Sequence, residues 1–181
     1  MNRFARWGFA LALLPLAGCN TDRSNAFAGT DPQPLAAATT MNVQDNQFIT
    51  AAGNSDAFET QSSQLALQKS RRPAVRAYAQ KMVDEHGQAT QKLQQLAGSK
   101  GATFQPALDP TQTRLMASLT GAPSKFDGAY LRAQATGHLT TVASYNDEIN
   151  NGSDPDVKAF AQQNLPIIQQ HLQDARRLNG R

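Results

Sequence analysis

The stretch PAVRAYAQKMVDEHGQATQKLQQLAG, residues 73–98, decides the fold. Val75, Ala79, Met82, Ala89, Leu93 and Leu96 recur at alternating intervals of three and four, the spacing of one buried helix face. Pro73 suits the first turn of such a helix and Gly98 its end. His86 falls on the same stripe, so an imidazole is set among groups that pack away from water.

Three further windows carry helical signals. Asn42 can cap a helix running to about Ser70, with a spine of Phe48, Ala51, Ser55, Phe58, Ser62 and Leu65 flanked by Ala52, Glu59 and Ala66. Glu59 is the one acidic residue near that inward face, with Asp45 and Asp56 expected elsewhere. Ser124 and Asp127 have capping-box spacing and open a helix that stops before Gly152, its seam reading Leu131, Ala135, His138, Val142, Tyr145 and Ile149. Asp154-Pro155-Asp156 starts the last window, which reaches about Leu178 along Val157, Ala161, Asn164, Ile168, His171, Ala175 and Leu178. Pro166 removes one backbone donor within it and predicts a bend. No window alternates as a strand does, so the class is all-α.

The connections set the topology. Only a few residues join helices one and two, and helices three and four, so each pair is expected to be an antiparallel hairpin. The longer passage between the pairs, GSKGATFQPALDPTQTRLMASLTGAP (98–123), has an Asp109-Pro110 start and a Leu115, Met116, Leu119 spacing that predict a short extra helix. Four helices with one long middle crossover make the ferritin-like bundle.

Every histidine of the chain lies on a core-facing stripe, each on a different helix. Glu59, His86, His138 and His171 stand roughly 13 to 16 residues into their helices, about 20 to 24 Å along each axis. They are therefore expected near one level. Imidazole nitrogen and carboxylate oxygen are ordinary ligands for zinc, manganese, iron and copper, so these four residues are predicted to hold a single divalent transition metal. Tyr78, Tyr130 and Tyr145 are candidates for orienting a ligand, as is Glu85, which can reach the site only from the seam's edge. Asp84 is expected in solvent. The alternative is a structural or protein-interaction module without metal, its histidines satisfied by internal hydrogen bonds.

The N-terminal residues MNRFARWGFALALLPLAGC combine Arg3 and Arg6 with an apolar run from Trp7 to Ala17, too short to span a bilayer comfortably. Residues 1–18 read as a secretory signal. Leu16-Ala17-Gly18-Cys19 resembles the lipobox of bacterial lipoproteins, which implies that Cys19, the sole cysteine, carries lipid and anchors the chain to a membrane. Asn20 resembles the enterobacterial sorting pattern for the outer membrane, facing the periplasm. Residues 19–41 lack periodicity and read as a flexible tether, leaving 42–181 as the bundle domain. Cleavage takes two of the 17 Lys and Arg, leaving 15 against 14 Asp and Glu. A near-neutral chain has no electrostatic footprint for nucleic acid. The pairs Arg71-Arg72 and Arg176-Arg177 fall at predicted helix ends, where the helix dipole favours cations.

QFITAAGNSDAFETQSSQLAL, PAVRAYAQKMVDEH, FDGAYLRAQATGHL and DPDVKAFAQQNLPIIQQHL together resemble the bacterial domain-of-unknown-function family 4142 from about Gln47 to Leu172. The resemblance implies a ferritin-like bundle of the bacterial envelope, often labelled an outer-membrane protein, with no established reaction. The family pattern has an acidic residue directly before the helix-two histidine, commonly Asp; here it is Glu85. Di-iron ferritins use Glu-x-x-His on two helices and a glutamate on each of the others. Here Val83 and Ile168 stand three before His86 and His171, and helix three offers His138, so one ion is expected and ferroxidase chemistry is not. No Gly-rich phosphate loop follows a strand and no spacing supports a Ser-His-Asp set. The expectation is therefore a metal-binding or stress-associated structural protein with an envelope partner, rather than an enzyme.

Overall fold

The computed structural model describes residues 41–121 and 125–180. The segment expected to be a signal, Cys19, most of the expected tether and Ser124 lie outside them. Among the described residues there are five helices and no strand: α1 (Val43–Lys69), α2 (Pro73–Ser99), α3 (Pro110–Thr120), α4 (Phe126–Asn151) and α5 (Pro155–Asn179). None is long and apolar enough to cross a membrane. The helices pack in the ring α1, α2, α5, α4, with α3 lying against α1 and α4. This is a ferritin-like four-helix bundle, with α3 in the long connection between its second and third long helices.

The boundaries follow from the caps. Asn42 and Asp45 form a reciprocal capping box on α1, and Asp109 and Gln112 form another on α3. Asp154 accepts from the Asp156 and Val157 amides at the start of α5, which runs on through Pro166. Helix α4 begins one residue after Lys125, which makes no side-chain capping bond. Arg72, at the α2 N-cap, donates to the Leu178 carbonyl at 3.2 Å and so closes the end of α5.

The inward faces of α2 and α5 are largely those the periodicity predicts: Val75, Ala79, Met82, His86 and Leu93, and Val157, Ala161, Ile168, His171, Ala175 and Leu178 are buried. Those of α1 and α4 are turned from the predicted spines. Ala51 is exposed and Ser55 and Leu65 only half-buried, while Asp45, Ile49, Asp56 and Ser63 are buried. On α4, Gln134, Thr141 and Glu148 are buried in place of Ala135, Val142 and Ile149. Asp45 and Asp56, expected off the inward face, are on it. Asp45 accepts from Ser153 N at 2.8 Å and Ser153 Oγ at 2.6 Å, which ties the start of α1 to the α4–α5 turn.

The core falls into two apolar clusters. One gathers Phe58, Met82, Tyr130, Leu131 and Leu178, the other Phe48, Leu93, Tyr145, Phe160 and Ile168. On α2, α4 and α5 the chain passes from one cluster to the other across His86, His138 and His171. A polar layer thus divides the apolar interior at mid-bundle.

Candidate metal centre

The three histidines meet. One nitrogen from each of His86, His138 and His171 lies within 4.8 Å of the others, and all three rings are buried. Ring centroids are 5.2 to 5.4 Å apart. The closest approach is between His86 Nε2 and His138 Nε2, at 3.3 Å.

Each ring is held by its other nitrogen. His86 Nδ1 donates to Asp56 Oδ1 at 2.7 Å, and Thr90 Oγ1 donates to the second Asp56 oxygen at 3.2 Å. His138 Nδ1 donates to the Gln134 carbonyl one turn earlier, at 2.8 Å. His171 Nε2 donates to Glu85 Oε2 at 2.6 Å. These acceptors are carboxylates or a carbonyl, so the proton on each outer nitrogen is fixed by chemistry. Among the described residues His171 Nδ1 is left buried without a partner.

Glu59 is buried beside this group and does not join it. Its Oε1 lies 3.7 Å from His138 Nδ1, the nitrogen bonded to Gln134 rather than the one facing His86. Neither Glu59 oxygen accepts a hydrogen bond from the described residues. Among the described residues none of the three tyrosine hydroxyls bonds a histidine ring. Tyr78 Oη donates to Gln134 Oε1 at 3.3 Å and to the His171 carbonyl at 3.4 Å, Tyr130 pairs with Ser63 at 2.7 Å, and Tyr145 packs edge-on against Phe48. Glu85 reaches His171 from the seam's edge, as expected, with its side chain partly open to solvent. Asp84 accepts from Gln80 on an exposed face.

Asp56 is the site residue that sequence reasoning missed. Its only signal was phase: Asp45, Ile49, Ala52, Asp56, Glu59, Ser63 and Ala66 keep the alternating four-three interval of a buried seam, hidden because four of the seven are polar.

The rings divide electrostatically. Burial disfavours charge on His86, yet the hydrogen bond and charge of Asp56, with Glu59 and Glu85 behind, hold it above the ordinary histidine value. Burial and then the His86 charge push His138 down to about 3 and His171 to about 2. Two rings are therefore neutral at any physiological pH, the state a metal requires. Burial raises Asp56 as well, against the pull of His86, and drives Glu59 up to about 8. An opening of about 390 Å³ between α2 and α5 reaches His86, His171 and Glu85.

Fold and site together define a four-helix bundle with a buried tri-histidine cluster at mid-height. The family described as Domain of unknown function (DUF4142) matches residues 30–178, and the chain belongs to it. A crystal structure of a DUF305 fragment from Deinococcus radiodurans is similar in fold, with a TM-score of 0.69 at 18% identity over 77% of this chain and 97% of that one. CopM in the Cu(II)-bound form is also similar, with a TM-score of 0.62 at 14% identity over 75% of this chain and 95% of that one. No curated protein matches.

Proposed function

We propose that this protein holds one divalent transition-metal ion, copper or zinc, between His86 Nε2, His138 Nε2 and His171 Nδ1. One observation carries the reading: each ring spends its outer nitrogen on a fixed acceptor, leaving three inner nitrogens close together in a buried space. At 3.3 Å the two Nε2 atoms need a proton or a cation between them: without an ion His86 Nε2 donates to His138 Nε2, and a metal enters by displacing that proton. Bonds of about 2.0–2.1 Å to a tetrahedral ion set two nitrogens about 3.3–3.4 Å apart, which that pair already matches.

Three imidazoles without thiolate suit copper and zinc better than manganese or iron. Asp56 and Glu85 supply two negative charges one bond behind the ligands, which offsets the desolvation of a dication. Glu59, the fourth ligand expected from sequence, stays outside this set, and the remaining coordination position is open to water. CopM in its Cu(II)-bound form supports the reading only in that a similar fold carries that ion in another protein.

The lipobox around Cys19 supports placing the ion at the periplasmic face of an outer membrane. Cys19→Ser should then move the chain from the membrane fraction to the soluble one. The metal itself is tested by elemental analysis of the untagged full chain after exposure to copper or zinc and exhaustive buffer exchange. The expected result is one equivalent per chain, lost when His86 and His138 are both replaced by Ala. Uptake that survives the double replacement, or none in the parent, contradicts the site.

A further inference from the structure

A second, larger cleft of about 800 Å³ lies between α1 and α4 under the edge of α3, sharing no lining residue with the opening that reaches His86 and His171. Ala51 stands on its α1 wall, Gly137 on its α4 wall, and Phe58 and Tyr145 add aromatic surface. This explains why Ala51, on a predicted core spine, is exposed: it faces the cleft. Among the described residues no lysine or arginine lines the cleft, and its two carboxylic acids are Glu59 and Asp109.

Glu59 makes this more than a groove of small residues. It is 1% exposed, and among the described residues neither carboxyl oxygen has a hydrogen-bond partner. The only other site acids, Asp56 and Glu85, are engaged by His86 and His171. A Cβ at position 137 would sit 2.8 Å from Glu59 Oε1, so glycine leaves the carboxylate its room against α4. Asp109 is already satisfied by the Thr111 and Gln112 amides. A buried carboxyl group without a hydrogen-bond partner is costly to keep whether or not it carries its proton, and a cationic donor removes that cost. The volume is that of a small-molecule site, apolar over much of its wall with one ionic anchor.

We propose that the α1–α4 cleft binds a small organic cation, an ammonium group on an apolar body, with Glu59 as its anchor and Phe58 and Tyr145 against the body. The ammonium donates to the orphaned oxygens, while the hydrocarbon covers apolar wall otherwise in water. This does not depend on the metal reading, since cation and metal enter by separate openings.

The test titrates the full chain with phenethylammonium and, in parallel, with the neutral isostere 2-phenylethanol, followed by calorimetry and by the shift in Tm. Saturable binding of the amine is expected, at least about tenfold stronger than the alcohol, with that preference lost in Glu59→Gln. Ala51→Trp fills the cleft away from the histidines and should abolish amine binding while leaving copper or zinc uptake at one equivalent. Absence of amine binding, equal binding of the alcohol, or full binding in Glu59→Gln overturns the proposal. Metal uptake measured on the same preparations shows separately whether the tri-histidine reading stands.

Discussion

Helices α2 and α5 bury hydrocarbon broken by a single histidine each, whereas α1 and α4 interleave buried polar groups with their apolar ones. Val75, Ala79, Met82 and Leu93 stand against Asp45, Asp56, Glu59, Ser62 and Ser63; Val157, Ala161, Ile168 and Ala175 stand against Gln134, His138, Thr141 and Glu148. The first pair drives folding by removing apolar surface from water. The second offsets the cost of its buried dipoles through specific bonds, such as Gln134 to Ser62 at 3.0 Å, Ser63 with Tyr130, and Asp56 with His86. Both pairs feed the apolar clusters, and the polar groups of α1 and α4 in addition fix which way the imidazoles point.

The sharpest way to break that division is Asp56→Ala. It removes the acceptor of both His86 Nδ1 and Thr90 from a buried position, at an expected cost of about 3 to 5 kcal/mol in a denaturant melt. The same change should weaken metal binding by about 10- to 100-fold in a competition titration. A cost under about 0.5 kcal/mol, typical of the surface, would show that the polar face of α1 does not hold the site. Met82→Ala probes the apolar half, where lost contacts and a cavity should cost about 2 to 5 kcal/mol while metal affinity changes little.

A smaller effect comes from Glu148, which burial and then the neighbouring Asp45 raise from 4.5 to about 7. A carboxylic acid raised by folding stabilises the native state while protonated. That contribution is complete below about pH 4.5 and is lost as pH climbs through about 7. Stability should therefore fall between pH 5 and 8. Glu148→Gln should flatten the profile and add about 1 kcal/mol at pH 8 in melts across that range. The smallest effect is expected at Ala51, where Ser should change stability by less than about 0.5 kcal/mol because the position is open.

The same division governs what could be read from the sequence. On α2 and α5 the buried faces are apolar, so periodicity located them and placed His86 and His171 correctly. On α1 and α4 the buried seams are polar, and a search for hydrocarbon settled one residue away, on Ala51 and Ser55 or Val142 and Ile149. Equal depth along the helices was enough to bring the three histidines together, since helix rise is constant. It could not show that Glu59 would stand at the far nitrogen of His138, or that Asp56 would take His86, because both depend on the rotation of α1 about its axis. Side-chain caps marked the starts of α1, α3 and α5 and a first-turn proline that of α2, whereas Lys125 at α4 makes no side-chain cap.

The central claim is that three imidazoles share one ion. Loading the full chain with one equivalent of Cu(II) and counting the coordinated histidines by pulsed electron paramagnetic resonance tests it most directly. The account predicts a single copper species bound by three imidazoles, reduced to two in His138→Ala and with the same count in Ala51→Trp. A copper signal with fewer than three histidines in the parent chain, or one that His138→Ala leaves unchanged, would contradict it.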